Sequence, residues 1–288
     1  MTWIDTIILS IVEGITEFLP ISSTGHMIIA SAMLGIKEDE FTKLFEICVQ
    51  LGAILSVVVL YWKKFFDFSR IQFYLKLIIA VAPALIFGLL FSKKIDQLLE
   101  SPFTVAMALL VGGIILLFVD KMFKRTHINH EHNLHFFKAL SIGFWQVLAM
   151  IPGTSRSAAT IVGGMQQGLT RRFAAEFSFF LAVPTMMAAT GYKLLQAYKL
   201  DKVRPAELSV FTKQNMVFLF AGNVIAFVVA LIAIKTFIHF LQKNILRAFG
   251  VYRILAAAAI FFMIYQGVIT SGPAKENKTE EVKTAPVQ

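Results

Sequence analysis

Charge and cysteine are what this 288-residue chain has least of. Only 16% of its residues are Asp, Glu, Lys or Arg, against roughly 25% in a soluble domain. With 57% hydrophobic residues and a mean hydropathy of +0.71, that scarcity excludes one soluble core and indicates an all-α, polytopic integral membrane protein. The lone Cys48 excludes a disulfide framework and a thiolate metal set, and its apolar surroundings make it a packing residue. The N-terminus lacks a basic segment and a small-residue cleavage site, so no removable signal peptide is expected. The formal net charge is +9, but the basic residues fall between apolar runs. There they set topology and meet anionic lipid, and no nucleic-acid partner is expected. The stretch from Gly272 to Gln288, rich in Lys, Glu, Thr and Pro, is expected to be a disordered tail beyond a single membrane domain at 1–271.

A helix needs about 20 mostly apolar residues to cross a bilayer. Six stretches qualify, near 45–62, 73–92, 103–119, 173–192, 215–234 and 250–268. Two further apolar regions, 2–36 and 136–169, are broken by Pro20 and Pro152. The pieces, about 10–17 residues each, suit re-entrant helix–loop–helix hairpins better than full spans. Shifting the chain by 132 residues (Pro152 against Pro20) lays Met150–Ser155 over Phe18–Ser23 and Phe177 over Phe45. Both halves then read as broken hairpin, connector and long span. The expected architecture is a helical bundle of about six spans with two inverted repeats, near 1–120 and 136–268, each carrying one hairpin. Paired broken segments point to a binding site at the repeat interface.

Basic residues orient the spans. Lys63, Lys64, Arg70 and Lys76 flank one connection, Lys121, Lys124 and Arg125 a second, and Lys235, Lys243, Arg247 and Arg253 a third. Placing these three in the cytoplasm opens the first hairpin outward and the second inward, with both termini outside. The connection at 193–213, with Lys193, Lys199, Lys202, Arg204 and Lys213, is then external and runs against the rule.

Two polar islands interrupt the apolar sequence. The first is Glu13-Gly-Ile-Thr-Glu17-Phe-Leu-Pro-Ile-Ser22-Ser23-Thr24-Gly25-His26. Ionisable groups at membrane depth are costly and mark functional sites. Glu13 and Glu17, four apart, share one helix face. They can hold a divalent metal with substrate phosphates, supply a general base or acid, or face an aqueous loop. Ser22, Ser23 and Thr24 follow a proline break; they can cap the next helix, cradle an anion, or supply a nucleophile activated by a carboxylate or by His26. The second island, Pro152-Gly-Thr154-Ser155-Arg156-Ser157, surrounds one permanent cation with hydroxyls. The guanidinium fork suits phosphate. Together the islands read as a site for a phosphorylated substrate. Glu46 and Gln50, and Glu176 and Ser178 in the second half, are weaker candidates to support it. His127, His130, His132 and His135 read as a solvated connector.

At these motifs the chain resembles the undecaprenyl-pyrophosphate phosphatases of the BacA type, bacterial membrane enzymes. Glu13 to His26 matches the family's Glu/Gln-x-x-x-Glu element and its Pro-x-Ser-Ser-Thr-Gly-His stretch; Pro152 to Ser157 matches its Pro-Gly-x-Ser-Arg-Ser. The resemblance covers nearly the whole chain except the tail. It implies hydrolysis of the terminal phosphate of undecaprenyl pyrophosphate, giving the monophosphate carrier for peptidoglycan synthesis, and an association with bacitracin resistance. It also implies paired inverted repeats, a homodimer, and dependence on Mg2+ or Ca2+. The location implied is the bacterial inner membrane, with the site facing outward. On this match Glu17, Ser23, His26 and Arg156 are the catalytic candidates, with Ser23 as nucleophile and Glu17 as base. Ser22, Thr24, Thr154, Ser155, Arg156 and Ser157 are the substrate-binding candidates, and Glu13 and Glu17 the metal ligands. His26 is left to activate a serine or water, or to protonate the departing oxygen.

Two rivals are weaker. Type 2 phosphatidic-acid phosphatases need a second histidine about six residues after the arginine, where this chain has Val162; no histidine lies between His135 and His239. A prenyl-phosphate transporter would suit broken, repeated helices, yet carrying an anion does not require an acid pair beside hydroxyls.

Overall fold

A computed structural model of the chain describes residues 1–36, 39–99, 101–124, 126–203, 205, 209–243 and 245–269. The expected tail at 272–288 lies outside the described residues. Six helices are long and apolar enough to cross a membrane: α3 (Glu40–Leu60), α5 (Ile71–Leu99), α6 (Pro102–Met122), α9 (Arg171–Asp201), α10 (Lys213–Lys243) and α11 (Arg247–Tyr265). Four are short: α1 (Trp3–Thr16), α2 (Ser23–Leu34), α7 (Phe136–Leu148) and α8 (Arg156–Gln166). A single turn, α4 (Trp62–Phe65), links α3 to α5. The described residues contain no strand, only an isolated parallel bridge between Ile128 and Leu169.

Local sequence starts these helices where it should. Thr2 and Asp5 form a reciprocal capping box on α1, satisfying orphan N–H groups at the helix start. Asp39, Ser101 and Thr170 cap α3, α6 and α9 through their side chains. At about 1.5 Å per residue, the 14 residues of α1 and the 13 of α7 fall well short of a roughly 30 Å hydrocarbon core. The α1–α2 and α7–α8 pairs are therefore hairpins whose tips stop part-way.

The long helices enclose these tips. Helix α1 packs on α10 and α7 on α5, while α3 packs on α9 and α6 on α11. Exchanging α1, α3, α5 and α6 with α7, α9, α10 and α11 maps this set of pairs onto itself. Gly113 and Gly250 bring the α6 and α11 backbones together, each close to the other's carbonyl oxygen, the small-residue contact that drives helix association in lipid. Phe18 of the first tip and Phe179 of α9 are fully buried and lie edge to face at 5.3 Å. Outward, Ile78, Leu90, Phe220, Ile232 and Phe262 are exposed, as a lipid-facing surface requires.

Three sequence expectations change. Lys76 and Arg253 are not loop charges: both lie inside helices and are buried, at 3% and 0% exposure. Lys193 and Lys199 belong to the 31-residue α9, because that helix continues through Asp201. The segment 126–135 keeps His127, His130, His132 and His135 exposed, as a solvated connector should, while its other residues anchor it. Its Ile128 is buried and bonded to the Gly168–Thr170 turn; the Glu131 carboxylate pairs with Arg70 and the Glu131 carbonyl accepts from Lys76 Nζ. Finally, the caps Ser22 and Ser155 correspond to each other in the two hairpins, a separation of 133 (155 minus 22). One residue must be gained relative to the 132 shift that aligns the prolines.

Candidate active site

Each hairpin turns on a strained serine. Ser22 and Ser155 are the only described residues other than glycine with positive φ, at 71° and 70°. Such conformations are costly and collect at functional sites. Each serine is also an N-cap. Ser22 Oγ accepts from the Gly25 amide and Ser155 Oγ from the Ala158 amide. The result places Ser23 and Arg156 at the first position of α2 and α8. Helix N-termini favour anions.

Glu17 joins the two tips. Its Oε2 accepts from Ser23 Oγ at 2.8 Å, and its Oε1 accepts from Arg156 Nη2 at 2.8 Å. Both partners of this ion pair are nearly buried, with side-chain exposures of 12% for Arg156 and 6% for Glu17. Hence the carboxylate of the first island meets both the hydroxyl beside it and the guanidinium 139 residues away. Ser157 Oγ donates to the Leu19 carbonyl at 2.7 Å and adds a second tip-to-tip contact.

Arg156 is held from several sides. Nη1 donates to the carbonyl and hydroxyl of Ser178, which Thr160 Oγ1 also contacts at 2.6 Å. The guanidinium lies over the Phe18 ring at 5.6 Å, a cation–π contact. Its Nε is buried without a hydrogen-bond partner. Of the weaker candidates, Ser178 thus joins the site. Glu176 does not: it pairs with Lys64 and Arg172 in a separate polar cleft. Glu46 accepts from Ser31 Oγ at 3.2 Å beside Glu13.

The other predicted residues are placed as follows. Ser22, Ser155 and Ser157 spend their hydroxyls on caps and tip contacts. Thr24 is half-buried in the first turn of α2, and Thr154 half-buried at the second tip. His26 Nδ1 meets the Ser22 carbonyl at 2.7 Å and Nε2 meets the Tyr252 hydroxyl at 2.7 Å. One tautomer satisfies both: Nδ1–H donates to the carbonyl and the phenol donates to Nε2. The imidazole is thereby tied to α11.

Sequence reasoning missed Tyr252 and Arg253. Arg253 uses its guanidinium on carbonyls from three elements: Pro20 of the first tip, Gly153 and Thr154 of the second, and Ala108 and Leu109 of α6. No short motif announces such a residue; the only signal is an arginine inside an apolar run.

The fit of a divalent cation can be judged from the carboxylates. Glu13 is 1% exposed, its Oε1 lacks any hydrogen-bond partner, and it neighbours Glu17 and Glu46. Buried oxygen ligands suit a hard cation. Among the described residues no group of three or more His, Cys, Asp or Glu forms a closed metal cage. The buried carboxylates of Glu13 and Glu17 are oxygen donors of the kind a Mg2+-type ion takes beside phosphate and water.

A model of the family described as bacitracin resistance protein BacA matches residues 6–259. The chain belongs to the BacA family. It is 57% identical over 263 residues to the undecaprenyl-diphosphatase of Flavobacterium psychrophilum, covering 91% of this chain and 96% of that protein. It is 48% identical over 285 residues to that of Porphyromonas gingivalis, with 93% and 99% covered. The undecaprenyl-diphosphatase of Bdellovibrio bacteriovorus is also 48% identical, over 269 residues. The family match spans both hairpins and α1 through most of α11, so the whole cluster around Glu17 lies within the BacA region.

Proposed function

We propose that this chain is an undecaprenyl-diphosphatase, which removes the terminal phosphate of undecaprenyl diphosphate and returns the monophosphate carrier to cell-wall peptidoglycan synthesis. The observation that carries this reading is the Glu17 carboxylate, bonded at once to Ser23 and to Arg156. On this reading Ser23 is the nucleophile, Glu17 the base and Arg156 the phosphate-binding cation, at the meeting of two helix N-termini. The names of the relatives supply the substrate.

Ser23 Oγ attacks the terminal phosphorus while Glu17 takes its proton. The bond from that phosphorus to the bridging oxygen breaks, and undecaprenyl phosphate departs. Water then hydrolyses the phosphoserine, freeing phosphate and restoring the serine hydroxyl. Arg156 balances charge on the transferring group, the main task in phosphoryl transfer. His26, held by Ser22 and Tyr252, orients the first turn of α2. Glu13 and Glu17 would hold Mg2+ or Ca2+, which when bound adds positive charge against the diphosphate. The polyprenyl tail lies against the apolar surfaces between the halves. All these residues come from one chain.

Purified protein in detergent is expected to release inorganic phosphate from undecaprenyl diphosphate, and to lose that activity on chelation and regain it with Mg2+ or Ca2+. A protein that only carried the lipid would release none. Activity of washed enzyme that chelation leaves unchanged would remove the cation from Glu13 and Glu17.

The inner-membrane orientation belongs to the same proposal. Lys63, Lys64, Arg70, Lys124, Arg171 and Arg247 lie at the connected ends of α3, α5, α6, α9 and α11, and the positive-inside rule assigns those ends to the cytoplasm. Three crossings (α3, α5 and α6) separate the two hairpins, which then enter from opposite faces, an inverted arrangement with the site open to the outer side. A reporter fused after residue 288 is expected to be active only outside the cytoplasm; a cytoplasmic signal would reverse the assignment.

A further inference from the structure

We infer that Arg253 is a positioning residue of this site, fixing the two hairpin tips against each other so that Glu17 and Ser23 stay in register with Arg156. The inference rests on the hydrolase reading above.

The side chain is fully buried, at 0% exposure, in the first half of α11. A guanidinium offers five N–H donors in one plane, and this one directs them at five carbonyl oxygens. Nε meets Leu109 at 3.3 Å, Nη1 meets Pro20 at 3.4 Å and Thr154 at 2.8 Å, and Nη2 meets Ala108 at 3.0 Å and Gly153 at 2.9 Å. Every one of these partners is a backbone carbonyl, so the charge is solvated by peptide dipoles. Burying a cation in this way is expensive, and an apolar side chain of similar size would pack at lower cost. A residue of this kind stands where its geometry is needed.

That geometry is a three-way joint. Nη1 alone spans the tips, one contact to Pro20 and one to Thr154. Pro20 sits midway between Glu17 and Ser23, and Thr154 is two residues before Arg156. With such short lever arms, displacement of either carbonyl moves the reacting groups directly. The same planar fork fixes both tips to α6, through Ala108 and Leu109. Lysine, with a point charge and a flexible stem, has too few donors to span five carbonyls.

The surroundings are cut to fit. A Cβ on Gly112 would come within 2.3 Å of Arg253 Nη2, so the guanidinium occupies the space a side chain would fill. Gly153 has φ of +88°, and a Cβ there would meet the Val105 carbonyl at 2.3 Å. The second tip thus lies flat on α6, its carbonyl turned to Arg253.

The test compares purified full-length wild type with Arg253→Met, Arg253→Lys and Gly112→Ala, normalised to folded protein by size-exclusion profile and thermal unfolding. Positioning predicts that kcat per folded molecule falls about 100-fold in Arg253→Met, because a misplacement of about 1 Å costs that much. Arg253→Lys should recover little of it, KM should move far less than kcat, and Gly112→Ala should lower kcat in the same direction while Arg253 remains. A merely structural arginine would lower yield and melting temperature and leave kcat of the folded fraction unchanged. Arg253→Met within threefold of wild-type kcat overturns the inference. Should that variant fail to fold, unchanged kcat in Gly112→Ala overturns it instead. Wild type that releases no phosphate sinks the hydrolase reading, a different outcome from variants that match an active wild type.

Discussion

Arg156→Ala is expected to lower turnover of undecaprenyl diphosphate by about 10³-fold, the upper end of what loss of one preorganised charge-stabilising donor costs. Two effects combine. The substitution removes the guanidinium that would balance the transferring phosphoryl group. It also strands Glu17, whose Oε1 accepts from Arg156 and whose side chain is 6% exposed. Arg156→Lys should rescue little, because the fork that reaches Glu17, the Ser178 carbonyl and the Ser178 hydroxyl together cannot be copied by an ammonium. Steady-state phosphate release by folded protein measures the effect. Activity near that of wild type would remove Arg156 from the reaction.

Ser23→Ala should cost about 10³-fold as well, since it removes the nucleophile and leaves its base without a proton to take. The sharper readout is covalent. Wild type quenched in acid during turnover of lipid labelled in its terminal phosphate should carry the label on Ser23, and Ser23→Ala should carry none. The 2.8 Å contact from Ser23 Oγ to Glu17 Oε2 is the geometry this predicts from. If Ser23→Ala keeps most of its activity, water attacks directly and Glu17 activates that water.

How much of this was readable in the chain depends on how far apart the contributing residues lie. Glu13, Glu17, Ser23 and His26 fall within fourteen residues, and Thr154 to Ser157 within four, so both islands stood out against their apolar flanks. The prolines at 20 and 152 marked the hairpins, and the six spans were legible because an uninterrupted apolar run suffices to define one. What failed were inferences from charge alone. Arg253 resembled a flanking loop charge because it follows Arg247 closely, yet α11 begins at Arg247 and carries it inward. Lys76 misled in the same way inside α5. Their partners lie 55 to 233 residues away, where no local pattern reaches. Ser178 was visible only as a polar residue on an apolar helix; that it braces Arg156 needed coordinates.

The carbonyl-solvated guanidinium of Arg253 also bears on biogenesis. Arginine inside an inserting helix is costly, up to roughly 2.5–3.5 kcal/mol at the helix centre on translocon scales. Of the described helices α11 is synthesised last, and the oxygens that relieve this cost belong to α6 and to two tips made earlier. The joint can therefore close only after α11 has met α6 and both tips. Up to that point the nascent protein carries both polar islands without the joint that aligns them, and it becomes competent only as its final described segment locks into place.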